Sequence, residues 1–346
     1  MDELNEFDFD LPEAQIARFP ASSRDESRLL VVDRLKSSYF EAPLFKDIVN
    51  FLHPGDVLVY NDTKVSKRRV YLQTHTGRIH ESIFLEMLEP SGLLWNCILK
   101  NRSKLKLGDL LTPVGFSQIP FEYFGPEEDR SILKSKFPIR EEDFESFGSI
   151  PIPPYLKRKA DEEDNIRYQT IFAKEPGSVA APTAGLHFTE SLKHELQCKG
   201  IQFVPVQLKI GYGTFSPLTK VQWETKRLHS ESYIMSEKTA EILNQTRADK
   251  NRVIAIGTTA LRVLETVYDS QLRKYKAQSG QTDIFLSEGD TIHSIDGLIT
   301  NFHLPKSSLL LLVSAFLGKK LLLDVYKSAL EKNFRFYSYG DSMFLF

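Results

Sequence analysis

The pattern of apolar and polar positions divides the chain into three sections. Up to about Thr63, the runs RLLVVDR and VLVYND are rich in branched apolar residues and predict strands. Between them, FKDIVNFLHPGD has the spacing of a short amphipathic helix that ends at Pro54-Gly55. The next section, from about Val65 to Ile150, consists of short segments separated by turn residues, such as RVYLQTH, ESIFLEML and LLWNCILK. This spacing predicts a small β-barrel or sandwich.

The third section alternates strands with helices. It follows the Pro-rich, charged stretch IPIPPYLKRKADEED, which is typical of a domain boundary. IQFVPVQLKI, NRVIAIG and LITNFHL predict strands, while SEKTAEILNQTRADK, TTALRVLETVYD and the apolar stretch from Ser307 predict helices, the last as one or two. We therefore expect an α+β or mixed α/β multidomain fold. Residues 1–64 and 151–346 would form a large α/β domain with a barrel-like sheet, and residues 65–150 an inserted small all-β domain that resembles a barrel.

Composition narrows the class of protein. The chain has 346 residues, of which 41% are hydrophobic and 26% charged, as is ordinary for a globular protein. Its two cysteines, Cys97 and Cys198, lack the spacing of a disulfide framework or a metal site. The acidic start MDELNEFDFDLPEAQ does not read as a secretory signal, and LLLLVSAFL is shorter than the roughly 18 residues that span a bilayer. We expect a cytoplasmic protein with no bound metal and no membrane partner.

The net charge of −2 argues against charge-driven binding of nucleic acid over the whole surface, but it leaves room for a local basic face. Two runs are candidates: Lys64, Lys67, Arg68 and Arg69, and then Lys100, Arg102, Lys104 and Lys106. If the second run is a strand, its four charges lie on one face. The alternative for both runs is solvated strand surface.

The stretch AAPTAGLHFT, from Ala180 to Thr189, places a proline, a glycine and His187 directly before a predicted helix. Thr189 is suited to cap that helix and Gly200 to end it. Because the first N–H groups of a helix attract anions, the loop suits a carboxylate or a phosphate. The alternative is a tight loop around a buried, hydrogen-bonded histidine.

Two glycine-containing turns also follow predicted strands. In KIGYGTFSPL, Gly211 and Gly213 either allow a ligand to approach the backbone or form a β-bulge. In VIAIGTTALRVLE, Thr258 and Thr259 lie at a strand–helix junction, where they either contact a polar ligand or cap the helix.

Titratable side chains occur in three further stretches. LHSESY places His229 and Glu231 on one face of a predicted strand, where they form either a proton-transfer pair or an ordinary surface pair. TNFHLP contains His303. FRFYSYGDSM contains Arg335 and Asp341 among aromatic residues that are more often packing than chemistry. The sequence lacks the signatures of P-loop NTPases, zincins and α/β-hydrolases.

Taken in order, these stretches resemble one family. LPEAQIARFP, PGDVLVYNDTKV, RYQTIFA, GSVAAPTAGLHFT, GYGTFSPL, HSES, IAIGTTALRVLE, TDIFL, TNFHLPKSSLLLLVSAFLG and RFYSYGDSM occur as they do in the S-adenosylmethionine:tRNA ribosyltransferase-isomerases of queuosine biosynthesis. The resemblance covers nearly the whole chain. One departure is that Lys209 and Ser216 stand where the family usually has a histidine and an arginine around the glycine-rich turn.

The resemblance implies a transfer with rearrangement. The ribosyl part of S-adenosylmethionine passes to 7-aminomethyl-7-deazaguanine at the wobble position of a tRNA anticodon, giving epoxyqueuosine-tRNA, adenine and methionine. S-adenosylmethionine is thus a co-substrate, and no tightly bound cofactor is expected. A base must remove a proton from the ribose carbon beside the sulfonium, an acid would assist the departure of adenine, and the methionine carboxylate needs N–H or cationic donors.

The resemblance also suggests the site, in the large domain. Acid, base or orienting roles fall on His187, His229, Glu231, His303 and Asp341. Substrate contacts fall on Asp62, Thr183, Ala184, Gly185, Phe188, Gly211, Gly213, Thr258, Thr259, Asn301 and Arg335. The two basic runs of the inserted section would hold the tRNA, whose target base lies in a single-stranded loop.

Two other functions compete with this interpretation. A conventional S-adenosylmethionine-dependent RNA methyltransferase would carry a glycine-rich loop after its first strand and an acidic residue after the second, and neither arrangement is present. A non-catalytic RNA-binding β module would consume no small molecule. We expect the protein to act as a monomer on tRNA carrying 7-aminomethyl-7-deazaguanine.

Overall fold

The computed structural model describes residues 2–127, 130–215 and 218–346. Its strands are β1 (Leu29–Asp33), β2 (Ser38–Ala42), β3 (Val57–Asn61), β4 (Thr63–Val65), β5 (Arg69–Thr74), β6 (Ile79–Met87), β7 (Leu94–Leu99), β8 (Leu110–Pro113), β9 (Phe121–Glu127), β10 (Arg130–Ser135), β11 (Glu175–Ser178), β12 (Gln202–Leu208), β13 (Arg227–Met235), β14 (Val253–Ile256), β15 (Tyr268–Asp269), β16 (Lys274–Tyr275), β17 (Gln278–Ile284), β18 (Gly297–Asn301) and β19 (Ser342–Leu345). Its α-helices are α1 (Asp2–Asn5), α2 (Phe144–Phe147), α3 (Asp164–Arg167), α4 (Glu190–Cys198), α5 (Lys220–Thr225), α6 (Glu237–Ala248), α7 (Thr258–Val267), α8 (Ser308–Leu317) and α9 (Lys319–Glu331).

Within these residues, nine strands form one sheet in the order β17-β13-β12-β3-β14-β18-β19-β1-β2. The four central strands β12, β3, β14 and β18 are parallel, so their carboxyl ends meet at one edge. β19 runs antiparallel to β18, and its first residue, Ser342, lies opposite Asn301 at the end of β18. This edge gathers the polar stretches that follow the strands, as is usual for ligand sites in such sheets.

Both faces of the sheet are covered, which explains why its central strands are apolar throughout. In β14, Val253 and Ala255 pack with residues of α6, α7, α8 and α9 on one face. Ile254 and Ile256 pack on the opposite face with residues of α4 and of the 3₁₀ turn Phe45–Asn50.

The middle of the chain forms a closed six-stranded barrel, in which β9 pairs with β10 to complete the order β10-β7-β6-β5-β8-β9. Phe84, Trp95 and Phe121 fill its interior, and Phe144 of α2 packs on Phe84 and Trp95 at ring-centroid distances of 5.1 and 5.2 Å. The predicted β-barrel of the middle section is therefore confirmed. The division into domains with borders near residues 64 and 151 stays a prediction.

The larger sheet differs from the prediction of a barrel-like sheet. Within the described chain it has two edges, β17 and β2. Residues of both edge strands are largely exposed or half-buried, as suits strands that face solvent. Closure thus occurs in the middle section and not in the nine-stranded sheet.

Local predictions were mostly correct. The long apolar stretch, predicted as one or two helices, forms two that separate at Gly318, whose φ is 82°. Two predictions need correction. FKDIVN forms a 3₁₀ turn rather than an α-helix. The run from Lys100 to Lys106 is not a strand. β7 ends at Leu99, Asn101 adopts a left-handed φ of 59°, and a 3₁₀ turn follows, so the chain turns away from the sheet.

None of the described helices has both the length and the apolar content to cross a bilayer.

Candidate active site

A cleft of about 840 Å³, part of it open to solvent, lies at the carboxyl ends of β14 and β18. It is lined mainly by apolar groups, with a few convergent polar ones. Three stretches of the chain contribute several residues each: Ala180, Ala181, Thr183 and Ala184; Gly257, Thr258, Thr259 and Arg262; and Thr300, Asn301, Phe302, His303 and Leu304. The other lining residues come from elsewhere in the chain: Tyr155, Ile210, Thr214, Ser307, Leu309, Tyr337 and Ser338. The predicted stretches before α4, at the start of α7 and after β18 therefore meet in one place.

The start of α7 opens into this cleft. Gly257 precedes the helix with a φ of 90° and gives it no side-chain cap, and the first intrahelical bond is donated by Leu261 N–H to the Gly257 carbonyl over 3.2 Å. The N–H groups of the first turn thus lack intrahelical acceptors. A Cβ on Gly257 would lie 3.4 Å from the Cβ of Ala184, so the glycine also lets the 3₁₀ turn Thr183–His187 pack against the helix start.

The sequence suggested the start of α4 for anion binding, but a side chain already caps this end of the helix. Thr189 accepts a hydrogen bond from Leu192 N–H over 3.1 Å, and its hydroxyl donates to Asp25 over 3.0 Å. Thr189 therefore caps α4, as predicted. The helix start that borders the cleft and can attract an anion is that of α7.

A buried ion pair lies beside the start of α7. Arg262 and Glu231 each expose only 6% of their side chains, and Arg262 Nη1 donates to Glu231 Oε2. Glu231 Oε1 accepts from Gly211 N–H over 2.8 Å. Both carboxylate oxygens thus have partners, whereas Arg262 Nε and Nη2 have none among the described residues. Glu231 is arranged to orient the arginine and the glycine turn rather than to accept a proton.

A second pocket adjoins the cleft and shares Thr214, Arg262 and Leu309 with it. His229 and Glu231 both line this pocket, which agrees with their prediction as neighbours on one strand. Gly213 lies directly against His229, because a Cβ there would come within 2.3 Å of the imidazole Cδ2. The glycine turn therefore fixes the space available to this exposed histidine.

His303 lines the main cleft and is buried. Its Nε2 lies 2.8 Å from Thr300 Oγ1, and its backbone N–H donates to the Tyr326 hydroxyl over 2.9 Å. The Thr300 hydroxyl and His303 Nε2 thus share one short hydrogen bond, whose direction is set by the tautomer of the imidazole. Burial lowers the pKa of His303 to about 3, so the ring is neutral at physiological pH.

His187 is enclosed behind the wall of the cleft. Its Nδ1 is 2.7 Å from Ser27 Oγ, and its Nε2 is 2.9 Å from Asn301 Nδ2. Since the amide nitrogen is a donor, Nε2 accepts and Nδ1–H donates to Ser27. Burial, and then the charges of Arg335 and Arg24, lower the pKa of His187 to about 3. The histidine thus holds Asn301, which itself lines the cleft.

Asn301 is turned by these contacts so that its amide nitrogen also donates to the Tyr337 carbonyl over 3.1 Å. Its Oδ1 is buried and has no hydrogen-bond partner in the described chain. The same holds for Thr259 Oγ1. Both atoms belong to residues of the cleft wall, so they are positioned to bond a polar ligand.

The remaining predicted site residues lie outside the lining of both pockets. Phe188 is fully buried and packs on Phe45 at a centroid distance of 5.0 Å. Gly185 packs against Thr170, since a Cβ there would lie 2.9 Å from Thr170 Cγ2. These two residues support the 3₁₀ turn and do not line the cleft.

Asp341 also has a structural environment. Its carboxylate accepts from Arg28 N–H over 3.0 Å and from Arg335 N–H over 2.8 Å, and Arg335 Nη2 lies 3.4 Å away. Asp62 follows β3 but lines neither pocket. Burial, and then the charge of Glu175, raise its pKa to about 6.

The basic runs of the middle section are only partly exposed. Arg68 pairs with Glu141 and donates to the Leu85 carbonyl, and Arg69 Nη2 donates to the Ile152 carbonyl over 2.8 Å. Both arginines are buried, so they hold the barrel to the connections beside it. The other members of the two runs lie nearer the surface. Lys67 is half-buried, 3.0 Å from Glu145, and Lys100 lies 2.7 Å from Glu81. Arg102 Nη1 donates to the Arg130 carbonyl, and Lys64, Lys104 and Lys106 are exposed.

Sequence reasoning missed Arg262, Tyr155 and Tyr337. The two tyrosine rings stack at a centroid distance of 4.2 Å and line the cleft. Arg262 follows Thr258 by one helical turn, just after a predicted strand–helix junction. This spacing could have indicated a charged side chain near the helix start. Of the two departures from the family pattern, Lys209 is exposed and outside both pockets, and Ser216 lies outside the described residues.

The chain is similar to known proteins along nearly its whole length. The family model for "Queuosine biosynthesis protein" matches residues 4–345. The S-adenosylmethionine:tRNA ribosyltransferase-isomerase of Staphylococcus haemolyticus is 43% identical over 345 residues, and that of Trichlorobacter lovleyi is 43% identical over 348 residues, with 99% of each chain covered. The crystal structure of S-adenosylmethionine tRNA ribosyltransferase from Thermotoga maritima is 32% identical, with a TM-score of 0.57 over 99% of this chain and 100% of that one.

Proposed function

This chain belongs to the family of queuosine biosynthesis proteins, and from that premise we propose that it acts as an S-adenosylmethionine:tRNA ribosyltransferase-isomerase. It transfers the ribosyl part of S-adenosylmethionine to tRNA and rearranges it, with S-adenosylmethionine consumed as a co-substrate. The observation that carries the proposal is the match along the full chain to enzymes of this name at 42–43% identity. Neither alternative function, an RNA methyltransferase or a non-catalytic RNA-binding protein, is favoured by these relatives.

The cleft suits S-adenosylmethionine in its chemistry. The stacked Tyr155 and Tyr337 offer an aromatic wall for the adenine, and Thr259 and Asn301 offer a hydroxyl and an amide oxygen for polar groups. We place the co-substrate here and the target base of the tRNA in the adjoining pocket, because Thr214 and Arg262 border both spaces.

His303 is the proton acceptor that we propose for the carbon beside the sulfonium. Its ring is neutral, so one ring nitrogen carries a lone pair, and the hydrogen bond to Thr300 fixes the ring orientation. His229 is the second proton-transfer candidate, since it lines the adjoining pocket where the base would lie. Glu231 and His187 have orienting roles, through Arg262 and through Asn301 respectively.

The tRNA substrate carries 7-aminomethyl-7-deazaguanine at the wobble position in this proposal, and the enzyme acts as a monomer. The barrel section, residues 65–150, forms a separate small domain that contributes to tRNA binding. Of the predicted basic runs, the exposed Lys64, Lys104 and Lys106 and the partly paired Lys100 are suited to phosphate contacts, whereas the buried Arg68 and Arg69 are not.

A mass balance tests this function. The protein is incubated with S-adenosylmethionine and tRNA carrying the aminomethyl-deazaguanine base, and free adenine, free methionine and the modified nucleoside are quantified. Equal release of adenine and methionine, with the base gaining a cyclopentane epoxide unit, is the expected result. S-adenosylhomocysteine with a methylated base would instead show a methyltransferase, and tRNA binding without any turnover would show a binding protein.

A further inference from the structure

Arg262 lines both the main cleft and the second pocket, so it lies where the two spaces meet. Only Nη1 is used in the pair with Glu231, and Nε and Nη2 are buried without a partner in the described residues. The Nε–H and one Nη2–H bond point the same way from the guanidinium plane, so they form the fork that binds a carboxylate through both oxygens. An arginine that is 5% exposed and uses one of three nitrogens is therefore prepared for an anionic ligand.

Two independent features of α7 point to the same class of ligand. α7 has ten residues, and its first-turn N–H groups begin at Thr258, directly after Gly257, whose own N–H donates to the Ile299 carbonyl over 2.8 Å. Gly257 and Thr258 both line the cleft. Thr259 Oγ1, in that first turn, is buried and unpaired among the described residues. Helix starts favour anions through these N–H groups and through the helix dipole. Arginine, hydroxyl and helix start thus border one cavity.

Glu231 limits what the anion can be. Its carboxylate is held by Gly211 N–H and by Arg262, so the ion pair is neutral before a ligand binds. The unpaired Nε–H and Nη2–H bonds of Arg262 and the start of α7 can together match a single compact negative charge. A tRNA phosphate would have to bring its flanking riboses into a largely apolar, enclosed space, whereas a carboxylate at the end of a flexible chain fits it.

We propose that Arg262, Thr259 and the start of α7 form the subsite for the α-carboxylate of the methionine part of S-adenosylmethionine, with Glu231 as the positioning residue for the arginine. This inference rests on the proposed function. It makes Arg262 a specificity-determining residue, because the carboxylate is the group that distinguishes S-adenosylmethionine from its decarboxylated form.

The experiment compares S-adenosylmethionine with decarboxylated S-adenosylmethionine on the full chain saturated with tRNA. Selectivity is the ratio of the half-saturating concentrations, with the analogue assayed as a substrate or as a competitive inhibitor of adenine release. One charged hydrogen bond to a buried partner corresponds to about a 10- to 150-fold preference. The wild-type ratio should therefore be at least about 10, and Arg262→Gln should bring it close to 1 by weakening S-adenosylmethionine alone.

Three further variants keep the result decisive. Glu231→Gln combined with Arg262→Gln removes both charges, so it tests the subsite even if the single variant folds poorly, and it should also lose selectivity. Thr259→Val should reduce the ratio several-fold. Arg227→Gln, which changes an arginine that is 74% exposed on the same strand as Glu231, is the matched control and should keep the wild-type ratio.

The proposal is overturned if wild-type protein does not discriminate between the two compounds, or if Arg262→Gln and the double variant both retain the wild-type ratio. Absence of adenine release from S-adenosylmethionine by the wild-type protein is a different result, since it would reject the proposed function itself.

Discussion

Replacing one partner of the buried pair formed by Glu231 and Arg262 should destabilise the fold strongly. Each side chain is only 6% exposed, so the partner left behind keeps a charge away from water. Breaking such a pair typically costs about 3–5 kcal/mol. Because the total free energy of unfolding of a domain is about 5–15 kcal/mol, Arg262→Gln alone should shift the urea midpoint of unfolding visibly.

The paired replacement should recover much of this loss. In the Glu231→Gln, Arg262→Gln double variant, two neutral amides of similar length replace the ions, and the amide oxygen can still accept from Gly211 N–H. We expect the double variant to lose only about 1–2 kcal/mol, so that a double-mutant cycle gives a coupling of about 2–4 kcal/mol.

The assay is urea unfolding followed by circular dichroism for the wild type, both single variants and the double variant. Glu224→Gln is the control, since that glutamate is 58% exposed and lies 3.6 Å from Lys220, so its loss should cost less than about 0.5 kcal/mol. The reasoning is refuted if the two single losses simply add in the double variant, because the side chains would then not share a buried interaction.

Four further predictions concern titration, space and charge. The pKa of His187 is lowered to about 3, so the unfolded chain binds more protons than the folded one below about pH 6.5. Stability is therefore lost as the pH falls from 6.5 to 3, and His187→Gln should flatten this decline in a pH series of thermal midpoints. The pKa of Asp62 is raised to about 6, so its charge destabilises the fold as the pH rises above 3.8; Asp62→Asn should increase stability at pH 7 by about 1–2 kcal/mol, and an unchanged or lower stability would contradict this. Gly213→Ala must displace His229, because the new Cβ would contact its ring. Adenine release should therefore fall at least about tenfold, with a stability change below about 1 kcal/mol. An unchanged rate would show that the contact between Gly213 and His229 plays no part in the reaction. Changing Lys104 and Lys106 together to Gln should raise KM for tRNA, leave KM for S-adenosylmethionine unchanged and reduce the salt slope by about 2; an unchanged slope would remove both lysines from the tRNA surface.

Local sequence signals predicted the elements well where one pattern decided them. The branched apolar runs became β1, β3 and β14, and Thr189 caps α4 as expected. The run from Lys100 to Lys106 failed because charge alternation was taken for a strand, although Asn101 in a left-handed conformation turns the chain there. Alternation of charged residues indicates a strand only when apolar residues fill the other face.

The site was harder to predict because its contacts join distant parts of the chain. His187 was expected at the ligand, but its partners Ser27 and Asn301 lie 160 and 114 residues away, and together they enclose it. Arg262, in α7, escaped attention for the same reason, since its partner Glu231 is 31 residues earlier, on β13. Sequence motifs located the walls of the cleft, whereas the direction and pairing of each side chain required the fold.

The protonation states in the cleft fit a cationic co-substrate. S-adenosylmethionine carries a positive sulfonium, and a protonated histidine about 4 Å away would oppose it by about 4 kcal/mol at the effective dielectric constant of a protein. Burial avoids this repulsion, because it lowers the pKa of both His303 and His187 to about 3 and keeps both rings neutral. The arginine of the cleft does not add a net charge, since Glu231 neutralises it. In the proposed site, a neutral His303 thus keeps a lone pair while the sulfonium is spared an unbalanced positive neighbour, which is the combination that the proposed proton removal requires.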